Sequence, residues 1–202
     1  MNWLYFCVFV FGYFVGSIPF AVIISKSHGV NIFKEGSGSP GATNVCRVLG
    51  KKYGVTVFIL DVLKGYLPVI VIRSLCAQYP NLANLLGMAA LFGAVIGHNF
   101  SIFLRFRGGK GVAATIGGIL ALMPSVAVLS LMIWYSVFKI TRFVSLASLS
   151  FALMLPLLTY LFAYPHELIG FSLVLMTLIF VRHIPNLYRL WNGTENRFSL
   201  NN

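Results

Sequence analysis

Long apolar segments alternate with short polar stretches along the whole chain. The apolar segments cover about residues 3–24, 55–76, 82–104, 112–138, 144–164 and 168–181. A helix needs about 20 apolar residues to cross the hydrocarbon core of a bilayer, and most of these segments have that length. Polar stretches lie at about 26–54, 97–111 and 182–202. The pattern predicts an all-α integral membrane protein in which residues 1–202 form a single polytopic domain.

The distribution of positive charge sets the predicted topology. If residues 112–138 form one span, the chain has six spans and its C-terminal tail lies outside. If that segment is divided at Pro124, there are seven spans, and every Lys and Arg except Lys64 and Arg73 lies on the cytoplasmic side. Cytoplasmic loops are enriched in Lys and Arg, which favours seven transmembrane helices with the N-terminus outside and the C-terminus cytoplasmic. Each half of residues 112–138 would be only about 20 Å long, so some helices should be short or broken.

The composition excludes several classes of protein. Hydrophobic residues make up 58% of the chain and charged residues only 9%, which is too little charge for a soluble domain. The net charge of +11 therefore indicates loops that face anionic lipid rather than a nucleic-acid partner. The four acidic residues do not cluster, and the cysteines and histidines show no metal-ligand spacing. We expect no metal and no other cofactor.

The first two polar stretches combine glycine-rich backbone with cations. Residues 36–47 read GSGSPGATNVCR, and residues 105–111 read RFRGGKG, which places three cations and three glycines in seven residues. Glycines let backbone N–H groups turn toward an anion, and fixed cations supply an attractive field. The order of residues differs from that of a nucleotide P-loop. We therefore expect a phosphate site, although cations at a helix end can also simply extend to the membrane surface.

The third polar stretch and one apolar segment hold further candidates. His183 and Asn186 lie three positions apart in the sequence RHIPNLYR, and His183 is suited to general base catalysis near neutral pH. Glu195 is expected to pair with a cation. Asp61 and Lys64 lie on one helix face of the second apolar segment, so they can form an ion pair. That pair is either part of a functional site or purely structural.

Three ordered motifs connect the chain to a known family. They are GSGSPGATNVCR at 36–47, GHN at 97–99 followed by RGGKGVA at 107–113, and RH at 182–183 followed by Asn186 and Arg189. Together they closely resemble the cytoplasmic motifs of the bacterial acyl-phosphate:glycerol-3-phosphate acyltransferases, the PlsY family. The resemblance covers nearly the whole chain. One departure is Ser39, where the family commonly has asparagine.

The resemblance implies an enzyme of the bacterial inner membrane with seven helices and an active site at the cytoplasmic face. Such an enzyme transfers a fatty acyl group from acyl phosphate to the 1-hydroxyl of sn-glycerol 3-phosphate. The products are phosphate and 1-acyl-sn-glycerol 3-phosphate, also called lysophosphatidic acid, in the first acylation of phospholipid biosynthesis. The family uses no acyl-CoA. Its partners are membrane lipid and a soluble enzyme that forms the acyl phosphate.

The resemblance also implies roles for individual residues. Arg47, Lys110 and Ser37 would bind the phosphate of acyl phosphate and the developing oxyanion. His183, oriented with Asn186, would position or deprotonate the attacking hydroxyl. A substrate phosphate could be the base instead, and Ser37 as a covalent nucleophile is a weaker alternative. The resemblance links Gly108, Gly109 and Gly111 to the binding of glycerol 3-phosphate. The other expected contacts with substrate or phosphate are Gly36, Gly38, Thr43, Asn44, Lys64, Arg107 and Arg182.

Two other functions compete with the enzyme. A carrier for a small organic anion would explain the broken spans and the intramembrane charges. Against it, the polar groups are expected at one membrane face rather than at the midplane, and the sequence shows no internal repeat. A non-catalytic lipid-binding membrane protein is the third possibility, and it would tolerate the loss of His183 and Arg47.

Overall fold

The computed structural model describes residues 2–198, and α-helices dominate that part of the chain. It divides into two compact units, the first ending at Leu122 and the second beginning at Met123. The first unit contains α1 (Asn2–Ser17), α2 (Phe20–Ser27), α3 (Ala42–Leu49), α4 (Lys51–Leu75), α5 (Pro80–Asn99) and α6 (Val112–Leu122). The second contains α7 (Pro124–Thr141), α8 (Val144–Leu161), α9 (His166–Arg182) and α10 (Ile184–Trp191). The all-α prediction is confirmed for the described residues, and the prediction of a single domain stays a prediction.

Several helices are long and apolar enough to cross a bilayer. Within residues 2–198 there are five such spans, and there are six if α9 and α10, bent by 58° where they join, are counted as one broken span. The 11 residues of α6 extend only about 16 Å, which is shorter than the hydrocarbon core. The expected division of residues 112–138 is confirmed, since α6 ends at Leu122 and α7 begins at Pro124. A multi-pass membrane protein is thereby supported, while seven spans and the sidedness of the termini stay predictions.

Glycines bring α1 and α5 into backbone contact. A Cβ atom on Gly12 would lie 2.2 Å from the carbonyl oxygen of Ala90, and one on Gly16 would lie 2.1 Å from that of Ala94. Small residues allow this approach, which is the usual basis of tight helix packing in membranes. The sequence places Gly12 and Gly16 on one helix face, and that face is the contact surface.

A break separates α1 from α2 at Pro19. Such a break leaves backbone carbonyls without helical donors, and in a membrane they need other partners. The Ser101 hydroxyl donates to the Ser17 carbonyl at 2.6 Å. The Lys64 ammonium donates to the Ile18 carbonyl at 3.0 Å. Two distant side chains therefore stabilise the break at Pro19.

A small apolar cluster fixes the first polar stretch in place. Its buried members come from α2, α3, α4 and the chain between α2 and α3, and they are Ala21, Val22, Ile32, Val45 and Val57. The cluster therefore anchors α3, the helix that follows the first glycine-rich loop.

In the second unit, α8 packs between α7 and α9. The hydroxyls of Thr159 on α8 and Ser172 on α9 lie 3.0 Å apart, and both residues are buried. Each hydroxyl also lies within hydrogen-bond distance of the carbonyl four residues earlier in its own helix. This pairing joins two helices through polar atoms that lipid cannot solvate.

Candidate active site

The Asn44 carboxamide organises the first glycine-rich loop. Its Oδ1 accepts from the Ser37 N–H at 2.8 Å, and its Nδ2 donates to the carbonyls of Ile32 at 3.2 Å and Glu35 at 3.0 Å. Asn44 is only 1% exposed. A Cβ atom on Gly36 would lie 2.3 Å from Asn44 Oδ1. Asn44 therefore holds the loop that carries Ser37, a role that the sequence alone does not reveal.

Two more predicted residues lie on the helix beside this loop. Thr43 and Arg47 are four positions apart on α3, so they project from the same face. Both are half-buried, whereas Ser37 is exposed. Gly38 has a φ of 68°, a conformation that favours glycine and turns the chain between Ser37 and α3. The loop and α3 thus present a hydroxyl and a cation within one short segment.

The second glycine-rich loop folds back against the end of α5. The Gly108 N–H donates to the Asn99 carbonyl at 3.2 Å, and the Gly109 N–H donates to the His98 carbonyl at 3.0 Å. A Cβ atom on Gly109 would lie 2.2 Å from His98 Nε2. These N–H groups are directed at α5 rather than turned toward an anion as expected, because the last carbonyls of a helix need donors. Gly108 and Gly109 instead allow the loop to lie directly on α5.

The anion-attracting part of this loop lies just beyond those glycines. Lys110 is half-buried and is followed by Gly111, whose φ is 84° and whose carbonyl accepts from the Thr115 N–H at 2.8 Å. Gly111 thereby begins α6, a helix of 11 residues. The N-terminus of a helix carries partial positive charge. Lys110 and the start of α6 together form the electropositive end of the loop.

The two glycine-rich loops lie next to each other. The Arg107 guanidinium lies over the ring of Phe33, 5.8 Å from its centroid. Pro40 from the first loop and Gly109 from the second both line a cavity of about 10 Å³, room for about one water molecule. The structure therefore brings the first two predicted phosphate loops together within the first unit.

An ion pair lies at the base of that cavity. Asp61 Oδ1 is 2.9 Å from Lys64 Nζ and 3.8 Å from His98 Nδ1. Asp61 is 2% exposed, Lys64 5% and His98 7%. The predicted pairing of Asp61 with Lys64 is confirmed. The predicted contact of Lys64 with substrate stays a prediction, since its ammonium is hydrogen-bonded to the Ile18 carbonyl as well as to Asp61.

In the second unit, His183 lies at the bend between α9 and α10. Its Nδ1 is 2.8 Å from the Ile179 carbonyl, and the residue is 2% exposed. A carbonyl oxygen can only accept a hydrogen bond, so Nδ1 carries a proton, and in the neutral form of the ring Nε2 is the acceptor nitrogen. This tautomer is the one that a general base acting through Nε2 requires. Arg182, the residue before it, ends α9 and is half-buried.

A buried carboxylate organises the residues around Asn186. Glu195 Oε1 accepts from Asn186 Nδ2 at 2.7 Å and from the Ser145 hydroxyl at 2.8 Å, and Oε2 accepts from Arg189 Nε at 2.7 Å. Burial opposes the charged form, but these hydrogen bonds and the Arg189 charge outweigh it and hold the pKa of Glu195 below its usual value. The predicted pairing of Glu195 with a cation is confirmed. Ser145 was not predicted, because it lies 50 positions away and no local pattern marks it.

A family model described as glycerol-3-phosphate acyltransferase matches residues 6–193. This chain belongs to the glycerol-3-phosphate acyltransferase family. Among similar members, the glycerol-3-phosphate acyltransferase of Aquifex aeolicus (strain VF5) is 41% identical over 189 residues, 94% of this chain and 96% of the relative. That of Fusobacterium nucleatum is 40% identical over 195 residues, 96% of this chain and 98% of the relative. The predicted family resemblance is confirmed.

Solved structures agree with this assignment to the acyltransferase family. The crystal structure of PlsY (YgiH), an integral membrane glycerol 3-phosphate acyltransferase, in its glycerol 3-phosphate form matches with a TM-score of 0.90 and 39% identity, over 96% of each chain. The lysophosphatidic acid form matches with a TM-score of 0.87 and 39% identity, over 96% of this chain and 95% of that one. The fold of this family member is therefore that of a solved integral membrane acyltransferase.

The predicted site residues of this family member fall into two groups. In the first unit, the predicted phosphate contacts lie on the loop that Asn44 holds, on α3 and on the loop at 105–111. In the second unit, His183 and Asn186 lie within one turn at the start of α10, with the Asn186 N–H donating to the His183 carbonyl at 2.9 Å. Convergence of all three polar stretches at one membrane face stays a prediction, as do the individual contacts with substrate.

Proposed function

We propose that this protein transfers a fatty acyl group from acyl phosphate to the 1-hydroxyl of sn-glycerol 3-phosphate at the cytoplasmic face of the bacterial inner membrane. The products are lysophosphatidic acid and phosphate. The observation that carries the proposal is the pair of adjoining cationic, glycine-rich loops, held by Asn44 and by the end of α5. Both proposed substrates carry phosphate. Solved relatives named for glycerol 3-phosphate and lysophosphatidic acid forms support this choice.

The loops of the first unit are proposed to bind the phosphates of both substrates and neutralise charge. Gly108, Gly109 and Gly111 are the proposed contacts with glycerol 3-phosphate, and the cations bind acyl phosphate. Arg47 and Lys110 supply positive charge, and Ser37 supplies a hydroxyl at the tip of the loop that Asn44 fixes. Acyl phosphate is a mixed anhydride with a good leaving group, so orientation and electrostatic stabilisation can account for most of the rate acceleration. Rigid backbone hydrogen bonds in both loops favour this, because cations and hydroxyls carried by a fixed backbone need little reorganisation during the reaction.

The transfer step balances without a cofactor. The glycerol hydroxyl oxygen forms a bond to the acyl carbonyl carbon, and the bond from that carbon to the bridging phosphate oxygen breaks. The phosphate leaves with the electron pair of that bond. The hydroxyl proton passes to His183 Nε2, or to a phosphate oxygen of a substrate. Asn186, held by Glu195, orients the group that receives the proton.

The acyl chain reaches the site from the membrane, and membrane lipid is therefore a partner of the protein. A soluble enzyme that forms acyl phosphate is the second proposed partner. Acyl-CoA is not used, because its thioester carries no phosphate at the reacting carbon for the two loops to bind.

The deciding experiment supplies purified protein in detergent or a lipidic mesophase with glycerol 3-phosphate and either palmitoyl phosphate or palmitoyl-CoA. Free phosphate and lysophosphatidic acid are followed together, with and without a chelator. Equal amounts of the two products from palmitoyl phosphate alone are expected. If neither product forms from folded protein, the proposal is wrong, and uptake of glycerol 3-phosphate into liposomes would then identify a carrier.

A further inference from the structure

A buried carboxylate lies beneath the second glycine-rich loop and takes no direct part in the proposed transfer. Asp61 is in the middle of α4, 2% exposed, and its nearest cation is Lys64 at 2.9 Å. Removing such a charge from water costs several kcal/mol, so an ion pair alone is weak evidence for a stabilising role. A membrane protein that retains an acid at this position requires another explanation.

His98 connects that carboxylate to the loop. Its Nδ1 lies 3.8 Å from Asp61 Oδ1, and the other nitrogen of the same ring, Nε2, lies 2.2 Å from the position that a Cβ of Gly109 would occupy. The backbone of the two residues is also joined, since the Gly109 N–H donates to the His98 carbonyl at 3.0 Å. The imidazole is therefore enclosed between the carboxylate on one side and the loop backbone on the other.

In this arrangement, the orientation of the His98 ring determines the position of the loop backbone at Gly109. The Gly109 backbone packs against the imidazole with no side chain between them, so a rotation of the ring displaces the loop or is blocked by it. In a site of low dielectric constant, a nearby carboxylate strongly favours the orientation that turns Nδ1 toward it. The glycines of this loop are the proposed contacts with glycerol 3-phosphate, so binding of that substrate depends on the same backbone.

We propose that Asp61 is a positioning residue, whose carboxylate holds the His98 imidazole beneath Gly109 and thereby sets the geometry of the phosphate-binding loop. Lys64 compensates the charge of the carboxylate and stabilises the break at Ile18. This inference rests on the proposed function, because its consequence is a change in the use of glycerol 3-phosphate. Loss of the Asp61 charge raises the KM for glycerol 3-phosphate and leaves kcat nearly unchanged.

The first test separates positioning from simple charge compensation. Asp61→Asn leaves Lys64 unpaired and is expected to lower stability, so the informative variant is the double change Asp61→Asn with Lys64→Gln, which removes both charges. We expect this variant to fold. Its KM for glycerol 3-phosphate should rise about tenfold, an effect of the size usual for the coupling free energy between two contacting residues. Its kcat should change less than about threefold. The exposed acid change Glu167→Gln is the control and should leave both constants unchanged.

The single variant Lys64→Gln separates the contribution of Lys64 from that of Asp61. It retains Asp61 beside His98, so its effect on KM should be smaller than that of the double variant. The inference is wrong if the folded double variant has the KM of the wild type, because the pair is then purely structural. It is also wrong if Lys64→Gln alone reproduces the full rise in KM, because Lys64 rather than Asp61 would then be responsible.

A double-mutant cycle tests the contact between His98 and Gly109. It tests whether His98 sets the loop even if the charge variants do not fold. Gly109→Ala introduces a methyl group against the imidazole and should raise the KM for glycerol 3-phosphate. In a His98→Ala background the same change should add little, since the colliding ring is absent. Gly170→Ala, whose Cβ meets nothing within 4 Å, is the matched control. Effects that simply add would show that His98 does not set the loop.

Failure of this inference is distinguishable from failure of the proposed function. If the wild-type protein forms no lysophosphatidic acid, the proposed function is wrong. If the wild type is active and the variants keep its KM, only the role of Asp61 is wrong.

Discussion

Each unit of this protein builds a polar cluster on one buried carboxylate, and the two carboxylates are satisfied in different ways. Asp61 has a cation 2.9 Å away on its own helix, three positions along the chain. Glu195 instead accepts three hydrogen bonds, from Ser145 on α8 and from Asn186 and Arg189 on α10. The Asp61 ion pair contacts the second glycine-rich loop only indirectly, through the ring of His98. The carboxylate of Glu195 and its three donors, which we call the Glu195 hub, hold the predicted catalytic side chain of Asn186 directly.

The comparison indicates how the two units divide the proposed work. The first unit presents cations and fixed backbone, which suit the binding of phosphate. The second presents a histidine of defined tautomer and a carboxamide held by a carboxylate, which suit the handling of a proton. Variants in the first cluster should therefore affect charge stabilisation and KM, whereas variants in the second should affect kcat.

The largest effect is expected from removing the loop cations. Arg47→Ala or Lys110→Ala should lower turnover by about a thousandfold, because each removes a positive charge that is proposed to stabilise the transition state. Steady-state rates of lysophosphatidic acid formation measure this, with thermal unfolding as the check on folding. Lys139→Ala, an exposed cation at the end of α7, is the control and should retain full activity. A near-normal rate in either loop variant would remove that residue from the site.

A smaller loss, confined to kcat, is expected in the second cluster. His183→Gln keeps a polar side chain but removes the basic nitrogen, and it should lower kcat about a hundredfold if the ring accepts the proton. The pH dependence of kcat should lose its acidic limb in the variant. If kcat falls while the acidic limb persists, the proton passes to a substrate phosphate and His183 only positions the hydroxyl.

A decrease in kcat of about tenfold is expected when the Glu195 hub loses one of its hydrogen-bond donors. Ser145→Ala removes a hydrogen bond to the charged Glu195, worth about 1.5–3 kcal/mol, and loosens the carboxylate that holds Asn186. The measurement is kcat with glycerol 3-phosphate at saturation. Ser150→Ala, on the same helix, loses only a bond to the Leu146 carbonyl and serves as the control. Equal rates for the two variants would show that the Glu195 hub has no part in the reaction.

The smallest effect is a dependence of stability on pH. The pKa of Glu195 is lower in the folded protein than its ordinary value, so its contribution to stability is complete above that ordinary value. The contribution is lost as the pH falls through the lowered pKa, when the carboxyl binds a proton in the folded state too. The thermal midpoint of the wild type should therefore fall between about pH 5 and pH 3 more than that of Glu195→Gln. Parallel curves would indicate that the hub does not stabilise the fold through its charge.

Features that depend on neighbours along the chain were predictable from the sequence. The breaks at Pro19 and Pro124, the shared face of Gly12 and Gly16, and the pair of Asp61 with Lys64 all follow from local spacing. Each involves residues within about one or two turns of helix, where a repeat of 3.6 residues fixes which side chains meet.

Features that depend on packing between distant segments were not predictable. The approach of His98 to Asp61 joins two helices, and Ser145 meets Glu195 across 50 positions. The direction of the Gly108 and Gly109 N–H groups was also missed, since nothing in the sequence states that the loop would lie against the end of α5. Composition indicated that the loop attracts anions, but only the packing shows which backbone donors are already occupied.

The break in the first span has a consequence for how the chain is made. Two carbonyls at the break, those of Ser17 and Ile18, accept hydrogen bonds from side chains 84 and 46 positions later in the sequence. When the ribosome has delivered only the first span, neither side chain has been synthesised, and a carbonyl in lipid that still lacks its partner, such as that of Ser17, costs several kcal/mol. The nascent first span should therefore remain beside the insertion machinery, where water can solvate the break, until α4 and the end of α5 arrive to complete it.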